Sequence, residues 1–231
     1  MKRAKSGGIL LVITAMAMVA ISLAPGRGLG KMGSRQRTSD LATSENPSLA
    51  KNESEMKILS VLDDIREGPV VDELHGRLLR LLAESTKAKN VVEIGTGNGY
   101  SAIWLCLGLK STGGKLVTHE IDHEKVLLAR ANFKRAGVEN LVTVVEGDAH
   151  RTVDQLKEPI DILFMDAEGG NLDFLNQLLP LVRPGGLILA DNMSKPKPSP
   201  RFIKAITTNP NLETIFLNMR ATGISLTIKK P

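Results

Sequence analysis

The chain has 231 residues, of which 42% are hydrophobic and 24% charged, values that suit one globular domain with an appendage. Aromatic residues make up only 3%, which argues against a surface that stacks on nucleic-acid bases. The net charge of +5 comes from the first 50 residues, because the rest of the chain carries 23 charges of each sign and offers no basic footprint for nucleic acid.

The first residues have the layout of a secretory signal or a short membrane anchor. Three positive side chains in Met1–Gly8 precede Ile9–Ala24, a stretch of sixteen uncharged, mostly apolar residues. Because Pro25 would hinder cleavage directly after Ala24, we favour an uncleaved membrane anchor over a cleaved signal peptide and export. We expect an anchor or signal over residues 1–30, a polar linker over 31–54 and a globular domain over 55–231.

The single cysteine, Cys106, cannot form an internal disulfide, which fits a reducing compartment.

Helical and extended patterns alternate along most of the domain, which is typical of a parallel sheet with right-handed crossovers. The predicted elements are, in order, helices over Met56–Arg66 and Val71–Ser85, a strand over Asn90–Ile94, a helix over Ser101–Leu109, a strand over Lys115–Glu120, a helix over His123–Ala136, a strand over Leu141–Glu146, a helix over Thr152–Leu156, a strand over Ile160–Met165, a helix over Asn171–Leu179, a turn over Arg183–Gly186 and a strand over Leu187–Ala190. The chain then changes pattern. A helix over Pro200–Thr207 precedes two strands, Glu213–Leu217 and Ile224–Ile228, without a helix between them, which predicts an antiparallel hairpin at the sheet edge.

Alternating glycines follow the first predicted strand. Gly95, Gly97 and Gly99 stand where the strand must turn into a helix, and without side chains the backbone can approach a ligand closely. The following helix presents free N–H groups and its positive end at the same place. The spacing is G-x-G-x-G rather than the G-x-G-x-x-G of dinucleotide sites, which favours a nucleoside without a pyrophosphate; a glycine turn without a ligand is the alternative.

Acids and a histidine follow the next two strands. Glu120 ends the second strand, where a carboxylate can accept both hydroxyls of a ribose; an exposed strand-end acid is the alternative. After the third strand, Asp148 can meet the amino group of an adenine, and Ala149 and His150 can line its ring. His150 is equally well explained as an ordinary loop residue.

Together these motifs resemble the class I methyltransferases related to catechol O-methyltransferase and caffeoyl-CoA O-methyltransferase, over the run from Glu55 to Lys230. The matching stretches are Val-Glu-Ile-Gly-Thr-Gly-Asn-Gly-Tyr-Ser at 92–101, His-Glu-Ile-Asp at 119–122, Glu-Gly-Asp-Ala at 146–149, Phe-Met-Asp-Ala at 164–167 and Pro-Gly-Gly-Leu-Ile-Leu-Ala-Asp-Asn at 184–192.

The resemblance implies an α/β domain with a Rossmann-like fold, in which helices flank a seven-stranded, mostly parallel sheet with an antiparallel C-terminal hairpin. It also implies S-adenosylmethionine as methyl donor, a small-molecule acceptor, often a divalent metal such as Mg²⁺, and a homodimer in many members. Because this donor is made and kept in the cytoplasm, we expect the anchored domain to face that side. The positions expected around the donor are Glu93, Gly95, Thr96, Gly97, Gly99, Tyr100, Ser101, Glu120, Ile121, Asp148, Ala149, His150 and Asp166.

The resemblance further implies a metal site at Asp166, Asp191 and Asn192. Asp166 and Asp191 each follow a predicted strand of the parallel sheet, so both are expected at the same crevice, and Asn192 adds a neutral oxygen. Two carboxylates and an amide suit a hard cation that keeps positions open for substrate and water. Two unpaired strand-end acids are the alternative.

The segment after the fourth strand departs from the family pattern. The family reads Asp-x-x-Lys, with the lysine as a base, whereas this chain runs from Asp166 to Gly169 at the same spacing. Three explanations stay open: the metal alone acidifies the acceptor hydroxyl, Glu168 serves as base, or Lys195 or Lys197 swings in. We favour the first, with Asp166 as a catalytic group and Lys195 as an auxiliary charge.

Two other functions are open at this point. A nicotinamide-dependent dehydrogenase would want G-x-G-x-x-G and a helix between the last two strands, and neither is present. A degenerate, non-catalytic methyltransferase-fold module that binds a ligand is suggested by the missing lysine. The acceptor specificity would lie in the loops at 169–173 and 195–200 and in the helix before Asn90.

Overall fold

The computed structural model describes residues 48–68, 70–167, 169–194, 198–218 and 222–231, and within them seven strands form one sheet in the order β3-β2-β1-β4-β5-β7-β6. The elements are α1 (Glu53–Ile65), α2 (Glu73–Ser85), β1 (Asn90–Ile94), α3 (Tyr100–Thr112), β2 (Lys115–Glu120), α4 (His123–Ala136), β3 (Val142–Glu146), α5 (Ala149–Thr152) with a 3-10 turn over Val153–Gln155, β4 (Ile160–Met165), α6 (Asn171–Leu178), β5 (Val182–Ala190), α7 (Pro200–Thr208), β6 (Leu212–Leu217) and β7 (Ile224–Lys229). β1 to β5 pair in parallel, and β7 runs antiparallel between β5 and β6. The Rossmann-like sheet and its C-terminal hairpin are therefore confirmed.

Alternation along the strands builds a core on each face of the sheet, because successive side chains point to opposite faces. In β4, Ile162 and Phe164 join the layer that contains α1 to α4, whereas Leu163 and Met165 join the layer that contains α6 and α7. Both layers are fully apolar at these positions, which accounts for the continuous hydrophobic runs that parallel strands carry.

Capping residues determine where several helices begin and end. Asp122 accepts N–H groups at the start of α4, and Gly137 ends that helix with a positive φ of 69°, as the pattern predicted. α1 begins at Glu53, earlier than predicted, because the side chain of Asn52 caps it. α5 likewise begins before the predicted position, because Asp148 caps it by accepting the N–H of His150.

β5 differs from its prediction. The Arg183–Gly186 stretch, expected as a turn before the strand, lies inside β5. The pairing of β4 with β5 shifts between Ile160 and Ile162, so the Pro-Gly-Gly stretch forms a bulge in which the extra residues are accommodated. Local composition signals the irregular backbone correctly but cannot tell a bulge from a turn.

The expected membrane attachment falls largely on residues 1–30, which lie outside the described residues. In the part of the chain that the structure describes, no helix is both long and apolar enough to cross a bilayer. The most apolar helix, α3, has 13 residues, about 20 Å at 1.5 Å per residue, and it is apolar all round because it is buried in the core. This finding contradicts the expected membrane-associated location, so that prediction was wrong.

Candidate active site

One row of residues crosses the C-terminal edge of the sheet. The parallel ladder continues one residue past the strands: the N–H of Gly95 donates to β2 at 3.0 Å, that of Asp166 to β1 at 2.9 Å and that of Asp191 to β4 at 3.0 Å. Four residues therefore lie at one level along four adjacent strands that are about 4.8 Å apart. They are Glu120 at the end of β2, Gly95 after β1, Asp166 after β4 and Asp191 after β5. Ligands of open α/β sheets bind at this edge.

Gly95 leaves the centre of this row open. It has a φ of 95°, and a Cβ there would lie 2.5 Å from the backbone oxygen of Asp166. A side chain at this position would therefore collide with the neighbouring strand as well as fill the space between the acids. The glycine is required by both the backbone conformation and the close approach.

Glu120 faces the glycine loop. Its carboxylate accepts the N–H of Gly97 at 2.9 Å with one oxygen, and those of Ile121 and Asp122 at 3.0 Å with the other. These three donors hold the carboxylate in place. Each carboxylate oxygen retains acceptor capacity, so Glu120 can hold the loop and still accept a ligand hydroxyl.

A second acid, Glu93, lies beneath the loop. It has no exposed surface, and its two oxygens accept the hydroxyls of Ser101 and Thr118, both at 2.6 Å. Burial raises the pKa of Glu93 to about 7; the two hydroxyls lower it, and the charge of Glu120 raises it. The hydroxyl of Thr96 lies 2.6 Å from that of Thr118 and extends the network. Glu93, Thr96 and Ser101 therefore support the loop from the core.

Tyr100, the first residue of α3, is also buried, with its ring edge-on to Trp104 at a centroid distance of 6.4 Å. Of the residues expected around the donor, it is thus part of the packing behind the loop. Ile121, by contrast, is a large apolar side chain that is 70% exposed beside Glu120, where it is available to cover a ring.

The residues after β3 form the far side of the crevice. The carboxylate of Asp148 caps α5, accepting the N–H of His150 at 3.0 Å. The exposed ring of His150 stacks on Phe174 with a centroid distance of 4.3 Å and an angle of 12°, and it packs against Gly170. His150 therefore joins α5 to the start of α6, an arrangement that its position in the sequence did not reveal. Ala149 is half-buried and packs against the second core layer.

Asp166 and Asp191 meet at the other end of the row. Burial raises the pKa of Asp166 to about 8, and the negative charges of Asp191 and Glu93 add to that rise, whereas the amide of Asn192 lowers it by donating at 3.0 Å. Asn192 has a left-handed backbone, with a φ of 61°. Two neighbouring carboxylates repel each other, and a positive partner held by both would relieve that repulsion. The two acids therefore suit a divalent cation, whereas Asn192 directs its NH₂ group at Asp166. In the described ranges no group of three His, Cys, Asp or Glu side chains is arranged to hold a metal ion.

His75 on α2 is a neighbour of this pair that sequence reasoning missed. It is fully buried, and its Nδ1 lies 2.9 Å from an oxygen of Asp191. The direction of approach does not meet hydrogen-bond geometry, and both ring nitrogens lack a hydrogen-bond partner. The hydroxyl of Thr222, by contrast, donates a hydrogen bond to Asp191 at 3.4 Å. Nothing in the sequence signals this contact, because His75 sits in an ordinary amphipathic helical pattern.

The position of the missing lysine is open. A Cβ at Gly169 would meet nothing within 4 Å, and Gly169 and Gly170 both have positive φ, 78° and 74°. The other candidates for its role, Glu168, Lys195 and Lys197, lie outside the described residues. Gly169 brings no charge to the row, so within the described segments the acids of the crevice face no lysine from this loop.

Comparison with known proteins gives the family. The model of a family described as O-methyltransferase matches residues 56–195. The chain is 39% identical over 123 residues to a catechol O-methyltransferase of Niastella koreensis, covering 51% of this chain and 55% of that protein. It is 39% identical over 120 residues to a catechol O-methyltransferase of Mycobacterium tuberculosis, covering 51% and 54%. The chain thus spans about half the length of the curated relatives it matches.

Solved structures extend the similarity beyond this region. An O-methyltransferase from Bacillus cereus in complex with S-adenosylhomocysteine is 28% identical, with a TM-score of 0.68 over 84% of this chain and 96% of that one. An O-methyltransferase from Streptomyces achromogenes in complex with S-adenosylmethionine is 26% identical, with a TM-score of 0.68 over 87% and 100%. Since the family model covers more than half of the chain and these solved relatives share its fold, the chain belongs to the O-methyltransferase family.

Proposed function

We propose that this protein transfers the methyl group of S-adenosylmethionine to a hydroxyl of a small catechol-like, vicinal-diol or phenolic acceptor. The observation that supports this best is the row at the sheet edge, where Glu120 stands on one side of Gly95 and the acids Asp166 and Asp191 stand on the other. A donor held at Glu120 and an acceptor held at the acid pair would meet above the open glycine. Two relatives bear the name catechol O-methyltransferase, which favours this acceptor class.

The donor half of the site acts by binding and orientation. Glu120 is fixed by three N–H donors, so it accepts ribose hydroxyls without losing side-chain freedom on binding. Ile121 and His150 offer the two faces of an adenine pocket, and Asp148 retains acceptor capacity toward the adenine amino group. Holding the donor rigidly supplies much of the acceleration in a transfer that needs an in-line approach.

The acceptor half is built for a divalent cation, which we expect to be Mg²⁺ because its ligands are hard oxygens. Asp166 and Asp191 supply the negative charge, and Asn192 supplies an amide oxygen once its side chain turns. When bound, such a cation supplies the Lewis acidity that lowers the pKa of an acceptor hydroxyl. Asp166 lies closest to the donor side of this pair, and the expected help from Lys195 remains a sequence-based prediction.

A module that binds the donor without transferring the methyl group is the second candidate. It is favoured by Gly169, which stands in open space where the family carries its basic lysine. The difference is chemical: the enzyme needs acceptor activation by the acid pair, whereas the module needs only the half of the site around Glu120.

Donor binding is tested by calorimetry with S-adenosylhomocysteine. We expect Glu120→Gln to weaken binding about tenfold or more, because a charged acceptor of several hydrogen bonds is lost. Glu158→Gln is the matched control, since Glu158 is an exposed carboxyl. Equal affinity of the two variants would contradict the donor site, and binding of NAD instead would establish the dehydrogenase.

Methyl transfer is tested with a panel of catechols, vicinal diols and phenols, with and without EDTA. Transfer that disappears with chelator and returns with Mg²⁺ supports the proposal as stated. Full activity in EDTA removes the cation from it, and donor binding without turnover of any acceptor favours the non-catalytic module.

The domain bounds of 55–231 and a homodimer also remain predictions. Limited proteolysis tests the first, because a folded domain resists cleavage after its linker is cut. Sedimentation equilibrium tests the second.

A further inference from the structure

The glycine loop caps the C-terminal end of α1. Asn98, between Gly97 and Gly99, donates its side-chain amide to the backbone carbonyl of Ile65 at 2.8 Å. Ile65 is the last residue of α1, where carbonyls lack partners within the helix. The loop therefore satisfies α1, and α1 in turn restrains the loop.

A closed ring of hydrogen bonds runs through this contact. The backbone oxygen of Asn98 accepts the amide of Asn132 on α4 at 2.9 Å, and Arg135 donates to the side-chain oxygen of Asn132 at 3.1 Å. Arg135 also donates to Asp64 at 2.7 Å, and Asp64 precedes Ile65 in α1. The ring thus joins the glycine loop (residues 95–99), α4 and the last turn of α1. It fixes the orientation of the side chains of Asn98 and Asn132.

The loop needs such restraint. Gly95, Gly97 and Gly99 have φ values of 95°, 55° and 89°, and glycines lose more conformational entropy on ordering than any other residue. Asn98 is the one residue with a side chain between Gly97 and Gly99, and its Oδ1 also accepts the N–H of Tyr100 at 3.1 Å. A loop that is ordered before the ligand arrives binds it more tightly, because the loop loses less conformational entropy when the ligand binds.

We infer that Asn98 is a positioning residue that couples the glycine loop to α1. Donor binding then favours the packing of α1 against the loop, and that packing favours donor binding. The inference rests on the proposed function for the identity of the ligand, S-adenosylmethionine. Thermodynamic linkage makes the coupling reciprocal: the factor by which docked α1 tightens donor binding equals the factor by which the donor favours docked α1.

The sharpest variant is Asn98→Ser. A serine hydroxyl can still accept the N–H of Tyr100, but it is too short to reach the carbonyl of Ile65. Asn132→Ala breaks the same ring from α4 and leaves Asn98 in place. Asn140→Ser is the matched control, because Asn140 is an exposed asparagine in the turn before β3.

Two measurements on the full chain test the coupling: calorimetry with S-adenosylhomocysteine, and hydrogen exchange of the α1 amides with and without that ligand. In the wild type we expect the ligand to slow exchange in the last turn of α1. In Asn98→Ser and Asn132→Ala this slowing is lost and the dissociation constant rises about 3- to 10-fold, because each variant removes one hydrogen bond made by Asn98. Asn132→Ala also removes the side-chain oxygen that accepts from Arg135. Asn140→Ser behaves as wild type.

The outcomes separate the two proposals. If the wild type does not bind S-adenosylhomocysteine, the proposed function fails. If it binds but α1 exchange is unaffected, or if both ring variants keep the wild-type affinity, the coupling is refuted and the function stands. Circular dichroism and thermal melting check that each variant is folded, and Asn132→Ala decides the matter should Asn98→Ser fail to fold.

Discussion

Glu93→Gln tests the electrostatics beneath the loop. The carboxyl has a pKa near 7 in the folded protein against an ordinary value of 4.5, chiefly because it is buried. The folded state therefore holds the proton more tightly than the unfolded state, and the stability this brings is complete below about pH 4.5 and is lost as the pH rises toward 7. A shift of this size corresponds to about 3 kcal/mol of unfolding free energy across that window.

Glutamine removes the titration with little change in shape. Its oxygen can accept the hydroxyl of Ser101, while its NH₂ donates to Thr118, whose own proton can turn to Thr96. We therefore expect the variant to match or fall below wild-type stability at pH 5 and to exceed it at pH 8.

Urea unfolding at pH 5, 6, 7 and 8 measures this difference. His119, whose pKa burial lowers to about 4, titrates in both proteins, so the comparison uses the variant minus the wild type at each pH. Removing the charge of Glu93 also removes one cause of the raised pKa of Asp166, which adds to the gain in stability of the variant at high pH. Glu158→Gln serves as the control with an exposed carboxyl. A difference between Glu93→Gln and wild type that stays constant from pH 5 to 8 would refute the assignment of the buried charge.

Three further outcomes follow from the row and its surroundings. Gly95→Ala should cost about 2–4 kcal/mol of stability and abolish donor binding, because the new Cβ lies 2.5 Å from the backbone oxygen of Asp166 at a positive φ; a wild-type melting temperature would contradict the geometry. Asp191→Asn should weaken Mn²⁺ binding at least about tenfold in calorimetry, since half of the carboxylate charge is lost; unchanged affinity argues against a cation there. His150→Ala should raise the dissociation constant of S-adenosylhomocysteine about 2- to 10-fold, because the ring stacked on Phe174 is removed; unaltered binding would place the adenine elsewhere.

Much of the fold could be predicted from local patterns. β1, β2 and β4 have the predicted bounds. β1 and β4 are short, largely apolar runs followed by Gly95 and Asp166, and β2 lies between Gly114 and the capping residue Asp122. α4 likewise has its predicted bounds, since Asp122 is a strong signal for the start of a helix and Gly137 a strong signal for its end. β5 could not be bounded correctly, because a bulge depends on the register with β4 and register is a property of two strands.

The candidate site was likewise predictable only in part. The acids at strand ends were predictable because parallel strands bring their carboxyl ends to one edge. That Glu120, Asp166 and Asp191 stand at one level was not, since it depends on how the ladder is aligned. His75 and Asn98 escaped notice for a different reason: each acts on a residue far away in the chain, and neither belongs to a local pattern that names a partner.

The paired left-handed glycines at 169 and 170 have a consequence for anyone who would rebuild this site. A Gly169→Lys substitution alone would force a residue with a Cβ to adopt a φ of 78°, which costs about 1–2 kcal/mol. The lysine side chain would then project from a backbone conformation that favours glycine. A useful ammonium group would therefore have to arrive by grafting the whole turn between β4 and α6.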